Sequence, residues 1–298
     1  MSKARLLWVN GKVLPVGEAA LDPRDRGFTL GDGLFEAMWV RGGAVLRIER
    51  HLSRLRAGVA VLGLSPLPED EDLSDAITRT LAANGLTEAT VRLTISRGVP
   101  NRRGLLPEPE SKPSLVIHAE PFVGYPAELH NRGVRAVISG IPRNEHSPLA
   151  RVKSLNYLDN VLARREAEAR GVDDALLLNT AGHLVCASAA NLFLVFDDAL
   201  VTPSVASGAL PGTVREFVAT ELAPQVGVDV VKRVVRPEEL HAASEGFLTS
   251  ALLGIMPLTE VDGLPIGTSA PGSVSLGLGA ELEKLWARHL DASEETLT

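Results

Sequence analysis

The chain has 298 residues, 45% of them hydrophobic and 22% charged, a formal net charge of -7 and a single cysteine. That length allows two hydrophobic cores at roughly 150 residues per domain, and the apolar fraction is that of a globular protein rather than a disordered one. The acidic balance without a lysine or arginine block argues against a nucleic-acid partner, one cysteine excludes an intramolecular disulfide, and no stretch reaches the roughly 18 apolar residues of a membrane-spanning helix. The apolar run at 6–9 is too short for a secretory signal, so a reducing, cytoplasmic setting is expected.

The chain opens with short apolar runs at 6–9 and 12–14 around Asn10-Gly11, a pair that tolerates positive φ at both positions and predicts a tight β-hairpin. Residues 25–36 (Asp-Arg-Gly-Phe-Thr-Leu-Gly-Asp-Gly-Leu-Phe-Glu) carry three glycines in a spacing that fits neither a dinucleotide nor a P-loop fingerprint. Locally this is a pair of turns around a strand start. Residues 47–55 begin a helix with Leu52, Leu55 and Val59 as its apolar stripe and Arg54 at the edge, where a planar guanidinium can turn inward or stay in solvent. Residues 91–96 alternate as a half-buried strand ending at Arg97-Gly98. Two prolines and a glycine within 119–127 mark an interdomain linker near residue 125.

Residues 134–139 alternate as a strand, and Pro148-Leu149-Ala150 lead the chain to Lys153. Downstream, Leu155, Leu158, Val161 and Leu162 recur as a helical stripe that Gly171 ends. Lys153 thus stands at a strand-to-helix junction, where a scaffold can aim a side chain, although a lone lysine is ordinarily a solvated one. Strands at 175–179 and 183–185 join through Thr180-Ala181-Gly182, and 191–195 and 199–202 flank the turn at Asp197-Asp198. The segment 208–215 opens a helix carrying Phe217, Val218 and Leu222, with Pro211 at its start and an N-terminus that offers N–H groups to an anion. Residues 245–258 form a buried strand and turn, 273–290 a terminal helix with Leu276, Leu282, Leu285 and Trp286 inward, and 291–298 a flexible acidic tail.

The run Lys153-Ser154-Leu155-Asn156-Tyr157-Leu158 closely resembles the cofactor-lysine segment of the class IV aminotransferases, the pyridoxal 5'-phosphate (PLP) enzymes that include branched-chain and D-amino-acid aminotransferases and 4-amino-4-deoxychorismate lyase. Five further segments match in the same order: the glycine-rich 25–36, His51-x-x-Arg54-Leu55, Asn191-Leu192-Phe193, 208–215 and 245–258. The resemblance implies a two-domain α/β fold of PLP fold type IV: a smaller α/β domain over 1–120, a linker at 121–128, a larger cofactor-lysine domain over 129–290, the cofactor in the cleft between, and usually a homodimer. It implies that Lys153 forms the Schiff base with PLP and moves the proton. Arg54, the turn Gly212-Thr213-Val214 and Ser250 with Ala251 would hold the phosphate, and Tyr157 would bond the phenolic oxygen. Arg97 would take a substrate carboxylate, in competition with Arg92, Arg102 and Arg103, and Phe35 would lie on the substrate side. No metal, nucleic acid or membrane is implied.

Three positions depart from the family pattern. Cys186 stands five residues before Asn191, where the family places a glutamate that bonds the pyridine nitrogen; Thr213-Val214 displaces the usual hydroxyl by one position; and Ala251 lacks a hydroxyl some members carry. The expected activity is amino-group transfer between an α-amino acid and a 2-oxo acid. Residues 153–160 side with the aminotransferases, whereas Cys186, 189–193 and 254–257 lean towards the alternative, the pyruvate-releasing lyase acting on aminodeoxychorismate. A PLP-binding module without catalysis is the third reading.

Overall fold

The computed structural model describes residues 5–102, 104–107, 111–197 and 199–295. Contacts between residues divide the chain into two compact units, one formed by the residues up to Val123 with Val152–Asn156 and the stretch from His289 on, the other by Gly124–Arg151 and Tyr157–Arg288. Both are mixed α/β. None of the described helices is long and apolar enough to cross a membrane.

In the first unit, Asn10 (φ 46°) and Gly11 (φ 93°) are both left-handed and close the expected hairpin of β1 (Leu6–Val9) and β2 (Lys12–Pro15). The glycine-rich stretch supplies a short helix, α1 (Arg26–Leu30), and the start of β3 (Gly33–Arg41). After β4 (Ala44–Val45) come α2 (Ile48–Leu62), α3 (Asp70–Asn84), β5 (Ala89–Ser96) and β6 (Ser114–Pro121). The six strands make an antiparallel sheet in the order β2-β1-β6-β5-β3-β4. Strand alternation separates its faces: Leu34, Met38, Leu93, Ile95 and Ile117 point into a core with Leu52 and Leu55 of α2 and Leu73 and Ile77 of α3. Phe35, Ala37, Arg92 and Thr94 lie on the opposite face.

Lys153 is carried to this second face by a segment laid along β3. The Phe35 N–H donates to the Lys153 carbonyl (2.9 Å), the Leu155 N–H donates to the Gly33 carbonyl (3.0 Å), and Ser154 bridges Leu34. A Cβ on Gly33 would stand 2.3 Å from the Ile95 carbonyl oxygen and 2.8 Å from Leu155 Cδ1, so the approach demands glycine there. The glycine-rich stretch therefore serves the lysine segment as well as its own turn.

The second unit begins with α4 (Ala127–Arg132) and β7 (Val134–Ile138), passes a 3₁₀ turn at Pro148–Arg151, and continues through α5 (Leu158–Ala169), β8 (Asp174–Leu178), β9 (Leu184–Ala187), β10 (Asn191–Phe196) and β11 (Ala199–Pro203). The helix after Gly212 runs as α6 (Thr213–Phe217), a π-helical turn (Val218–Leu222) and α7 (Ala223–Gln225). Then come β12 (Asp229–Arg233), β13 (Glu245–Ser250), β14 (Gly254–Val261), β15 (Leu264–Pro265) and α8 (Ser273–Glu295). The sheet order is β12-β11-β10-β13-β14-β7-β8-β9, and β9 returns to pair with β10 through Cys186↔Asn191, closing six strands on themselves. Closure removes the free edge that β9 would otherwise present.

One expected face is reversed, and another departs at a single residue. The buried side of α5 is Asn160, Ala163 and Ala167, packed against Val137, Ala175, Leu177 and Cys186, while Leu158 is 74% exposed and Val161 and Leu162 are also exposed. Alanines let the helix lie close on the sheet, and Asn160 Nδ2 reaches the Ser188 carbonyl (2.6 Å). In α8, Leu278, Leu282 and Trp286 are buried but Leu276 is exposed, one helical step off the inward face. The same helix continues through Glu295, into the expected tail, whose last three residues lie outside the described residues.

Candidate active site

Lys153 Nζ lies 4.3 Å from the centroid of the Phe35 ring, and the Arg92 guanidinium carbon lies 3.8 Å from the same centroid. Phe35 is buried, and both side chains stand over its ring. The first sheet thus presents an amine, a guanidinium and an aromatic wall together.

Arg54 is turned inward. Its Nε and Nη2 donate to the two oxygens of Glu36 (2.8 and 2.6 Å), and His51 Nδ1 meets the second oxygen at 2.8 Å. Burial of Glu36 opposes its charge, but the Arg54 charge and the His51 and Arg54 hydrogen bonds outweigh it and hold the carboxyl at about 2. His51 and Glu36 entered the sequence reading only as members of matching segments, and their pairing with Arg54 was not read from it. The signal was available in His51 and Arg54, three apart on one helical face, with an acidic residue at an inward strand position.

Arg97 is not placed to take a substrate carboxylate, and here the expectation is corrected. Its Nε and Nη2 donate to Asp32 (2.8 and 3.1 Å), Nη1 to the Gly63 carbonyl (2.9 Å) and Nη2 also to the Leu62 carbonyl (2.6 Å). The side chain caps the C-terminus of α2, where its charge suits the helix dipole. Burial works against the Asp32 charge, but Arg97 and Arg26 hold its carboxyl below the usual range. Among the competing arginines, Arg92 stands beside Lys153 through the shared Phe35 ring; Arg103 lies outside the described residues.

In the second unit, Gly212 caps the N-terminus of α6 without a side-chain bond, followed by Thr213 and Val214 in its first turn, whose N–H groups have no acceptor within the helix. A Cβ on Gly212 would stand 2.0 Å from Asn191 Oδ1. Asn191 Nδ2 donates to the Leu210 carbonyl (2.9 Å), so one side chain shapes the turn and leaves room only for glycine. The buried Arg215 fixes the same end from below through the Pro203 carbonyl (3.0 Å) and Glu216 (2.6 Å). Ser250 ends β13, its Oγ accepting from the Leu253 N–H (3.1 Å), and Ala251 follows in the turn. Tyr157 stands at the N-cap of α5.

Cys186, Asn191 and Thr249 form a row in register across β9, β10 and β13, so their side chains rise on one face. Cys186 is buried among Ala163, Ala167, Leu177 and Ala209, and burial pushes its thiol up, with Arg143 acting weakly in the other direction. The thiol is therefore neutral near pH 7. Arg143 is committed to the Gly208 (2.7 Å) and Ala150 (2.8 Å) carbonyls, tying the loop before α6 to the turn before the lysine segment. Thr249 Oγ1 is buried and has no hydrogen-bond partner among the described residues.

The family model for class IV amino-transferases matches residues 33–261. A protein of Methanocaldococcus jannaschii that carries a branched-chain-amino-acid aminotransferase name is 33% identical over 90% of this chain and 92% of its own. The solved T.th. branched-chain amino acid aminotransferase with pyridoxamine 5'-phosphate superposes with a TM-score of 0.89 at 28% identity, covering 96% of this chain and 95% of that one. A Legionella pneumophila chain named as a 4-amino-4-deoxychorismate lyase gives 0.82 at 27% identity over 90% of this chain and 96% of that one. With the match running through Lys153, the turn at Gly212 and β13, the chain belongs to the class IV aminotransferases and is a PLP-dependent transaminase of mixed α/β fold.

Proposed function

We propose that this transaminase acts on branched-chain L-amino acids with PLP attached through Lys153. The observation that carries the site is the Lys153 segment bonded along β3, which brings Nζ to the Phe35 ring beside Arg92. Each unit by itself offers groups suited to the cofactor. Arg54 supplies a preset guanidinium for a phosphate, and the uncapped first turn at Gly212-Thr213-Val214 supplies backbone N–H groups with the Ser250 hydroxyl near the end of β13. The buried Thr249 hydroxyl without a protein partner is a further donor awaiting an acceptor. When bound, PLP supplies an aldehyde for the amino group and a ring that draws electrons from the substrate Cα.

This chain's residues supply the rest. Lys153 Nζ carries the cofactor and then moves the proton at the substrate Cα. Arg92 binds the substrate carboxylate in place of Arg97, and Phe35 offers an apolar wall for an aliphatic side chain. Tyr157 would bond the cofactor's phenolic oxygen, and Cys186, a neutral thiol, would stand towards its ring nitrogen. We place the domain boundary in the linker at 121–128 and the protein in the cytoplasm. Exposed Leu158, Val161 and Leu162 on α5 support a homodimer, since a contiguous apolar helix face is ordinarily covered.

Borohydride reduction followed by peptide mapping tests the assignment, with label expected on the peptide containing Lys153; label on Lys232 would overturn it. Separate addition of leucine, valine, D-alanine and aminodeoxychorismate then reads the substrate from loss of the yellow colour. The lyase remains the second reading because Cys186 withholds a carboxylate from the ring, and pyruvate release without amino transfer would establish it.

A further inference from the structure

Glu36 sits fully buried in the β3 row Leu34, Glu36, Met38, Val40, whose other members are apolar core. An unpaired charge in such a row would be strongly destabilising. Both of its oxygens are instead engaged by Arg54, and one also by His51. An ionised carboxylate only accepts hydrogen bonds, so His51 carries its proton on Nδ1. The pairing uses Nε and Nη2, the side edge of the guanidinium. This fixes its plane and turns the edge bearing Nη1 away from the carboxylate.

We propose that Glu36, assisted by His51, is the positioning residue that aims Arg54 at the cofactor phosphate. The proposal rests on Arg54 being a phosphate ligand and goes beyond it, because it makes a buried acid a determinant of anion binding. Charge and position have opposite consequences here. Removing a negative charge near a dianion strengthens binding by Coulomb's law. Removing the group that orients the fork weakens it, since a guanidinium free to rotate must be ordered at each binding event.

The test titrates apoprotein with PLP and, separately, with pyridoxal, which lacks the phosphate. Glu36→Gln should raise the PLP dissociation constant about 10-fold and leave that of pyridoxal unchanged, so the preference for PLP over pyridoxal falls. His51→Gln should shift that preference in the same direction by about 3-fold, and it decides the matter if Glu36→Gln does not fold. Tighter or unchanged PLP binding in these variants, or equal losses for both ligands, overturns the proposal. Arg54→Lys separates the two levels: if it keeps the full preference for PLP over pyridoxal, Arg54 is not the phosphate ligand. If it loses that preference while Glu36→Gln retains it, only the positioning role fails.

Discussion

In the first unit, Glu36, Arg54 and His51 bring charge into the core and engage one another, and Asp32 does the same with Arg26 and Arg97. In the second, the row Cys186, Asn191 and Thr249 buries a thiol, an amide and a hydroxyl without formal charge, one of them unpartnered among the described residues. Buried charge is tolerated only where its partners are built in, whereas neutral donors can be buried and left to meet a ligand later. The first set is satisfied within the chain, and the second leaves the Thr249 hydroxyl unmatched among the described residues.

The largest effect expected from breaking this contrast is that of Arg54→Ala. It leaves Glu36 a buried carboxylate with only His51 against it and should lower unfolding stability by about 3–5 kcal/mol, in addition to weakening PLP retention. The pH dependence gives the sign. Glu36 has a folded-state value of about 2 against an ordinary 4.5, so its contribution is fully present above pH 4.5 and is lost as pH falls towards 2. Urea midpoints of the wild type should therefore drop across that window by an amount equivalent to about 3 kcal/mol, and Arg54→Ala should abolish the drop. Parallel curves for the two proteins would show that the pair does not hold the charge.

Gly212→Ala comes next, because it strikes the neutral side. The new Cβ would meet Asn191 Oδ1 at 2.0 Å, forcing the amide off the Leu210 carbonyl and disturbing the first turn of α6. A loss of about 1–3 kcal/mol in thermal stability and weaker PLP binding are expected. Asn191→Ala in the same chain should relieve the clash without restoring the turn. Recovery of both properties would mean that the amide does not shape it.

Much of this was legible in the residues. The Asn10-Gly11 hairpin, the strand at 91–96 and the α6 start all rest on local chemistry, and local chemistry survived folding. What was not legible depended on distant partners. Leu158, Val161 and Leu162 have helical spacing, but periodicity cannot distinguish a face turned to the sheet from one left exposed; Ala163 and Ala167 won the buried side because they allow a closer approach. Arg97 resembled a substrate ligand until Asp32, 65 residues away, and the end of α2 claimed its donors. Glu36 reads as an exposed acid in any local window, and only pairing with a helix 18 residues on makes it a core residue.

Cys186→Glu places a charge in a row that otherwise carries none. The nearest compensating cation is Arg143, already bonded to two carbonyls, so apoprotein stability should fall by about 2 kcal/mol. With cofactor bound, a carboxylate at the ring nitrogen would favour its protonated form and speed the amino-acid half-reaction about 10-fold, read as the rate of loss of the yellow colour. The nitrogen-15 chemical shift of labelled cofactor should move towards the protonated value. An unmoved shift would remove Cys186 from the ring and, with it, the main support for the lyase reading.

Thr249→Val carries the smallest expected change and separates the two kinds of burial most cleanly. The hydroxyl is buried without a hydrogen-bond partner among the described residues, so in apoprotein it bears a desolvation cost with no return. Valine has nearly the same shape, and replacing an unsatisfied polar group by an apolar one should raise apoprotein stability by about 1 kcal/mol. If the hydroxyl is there for the cofactor, the same change should lower PLP affinity several-fold, giving opposite signs for apo stability and binding. Thr249→Ser, which keeps the donor but loses a methyl group, should do the reverse: apoprotein destabilised by about 1 kcal/mol through lost packing, with PLP affinity retained. A rise in stability with unchanged affinity in Thr249→Val would make the hydroxyl a tolerated flaw of the core. A loss of stability in that variant would mean that an ordered water already satisfies it, and the second unit would then prove as self-contained as the first.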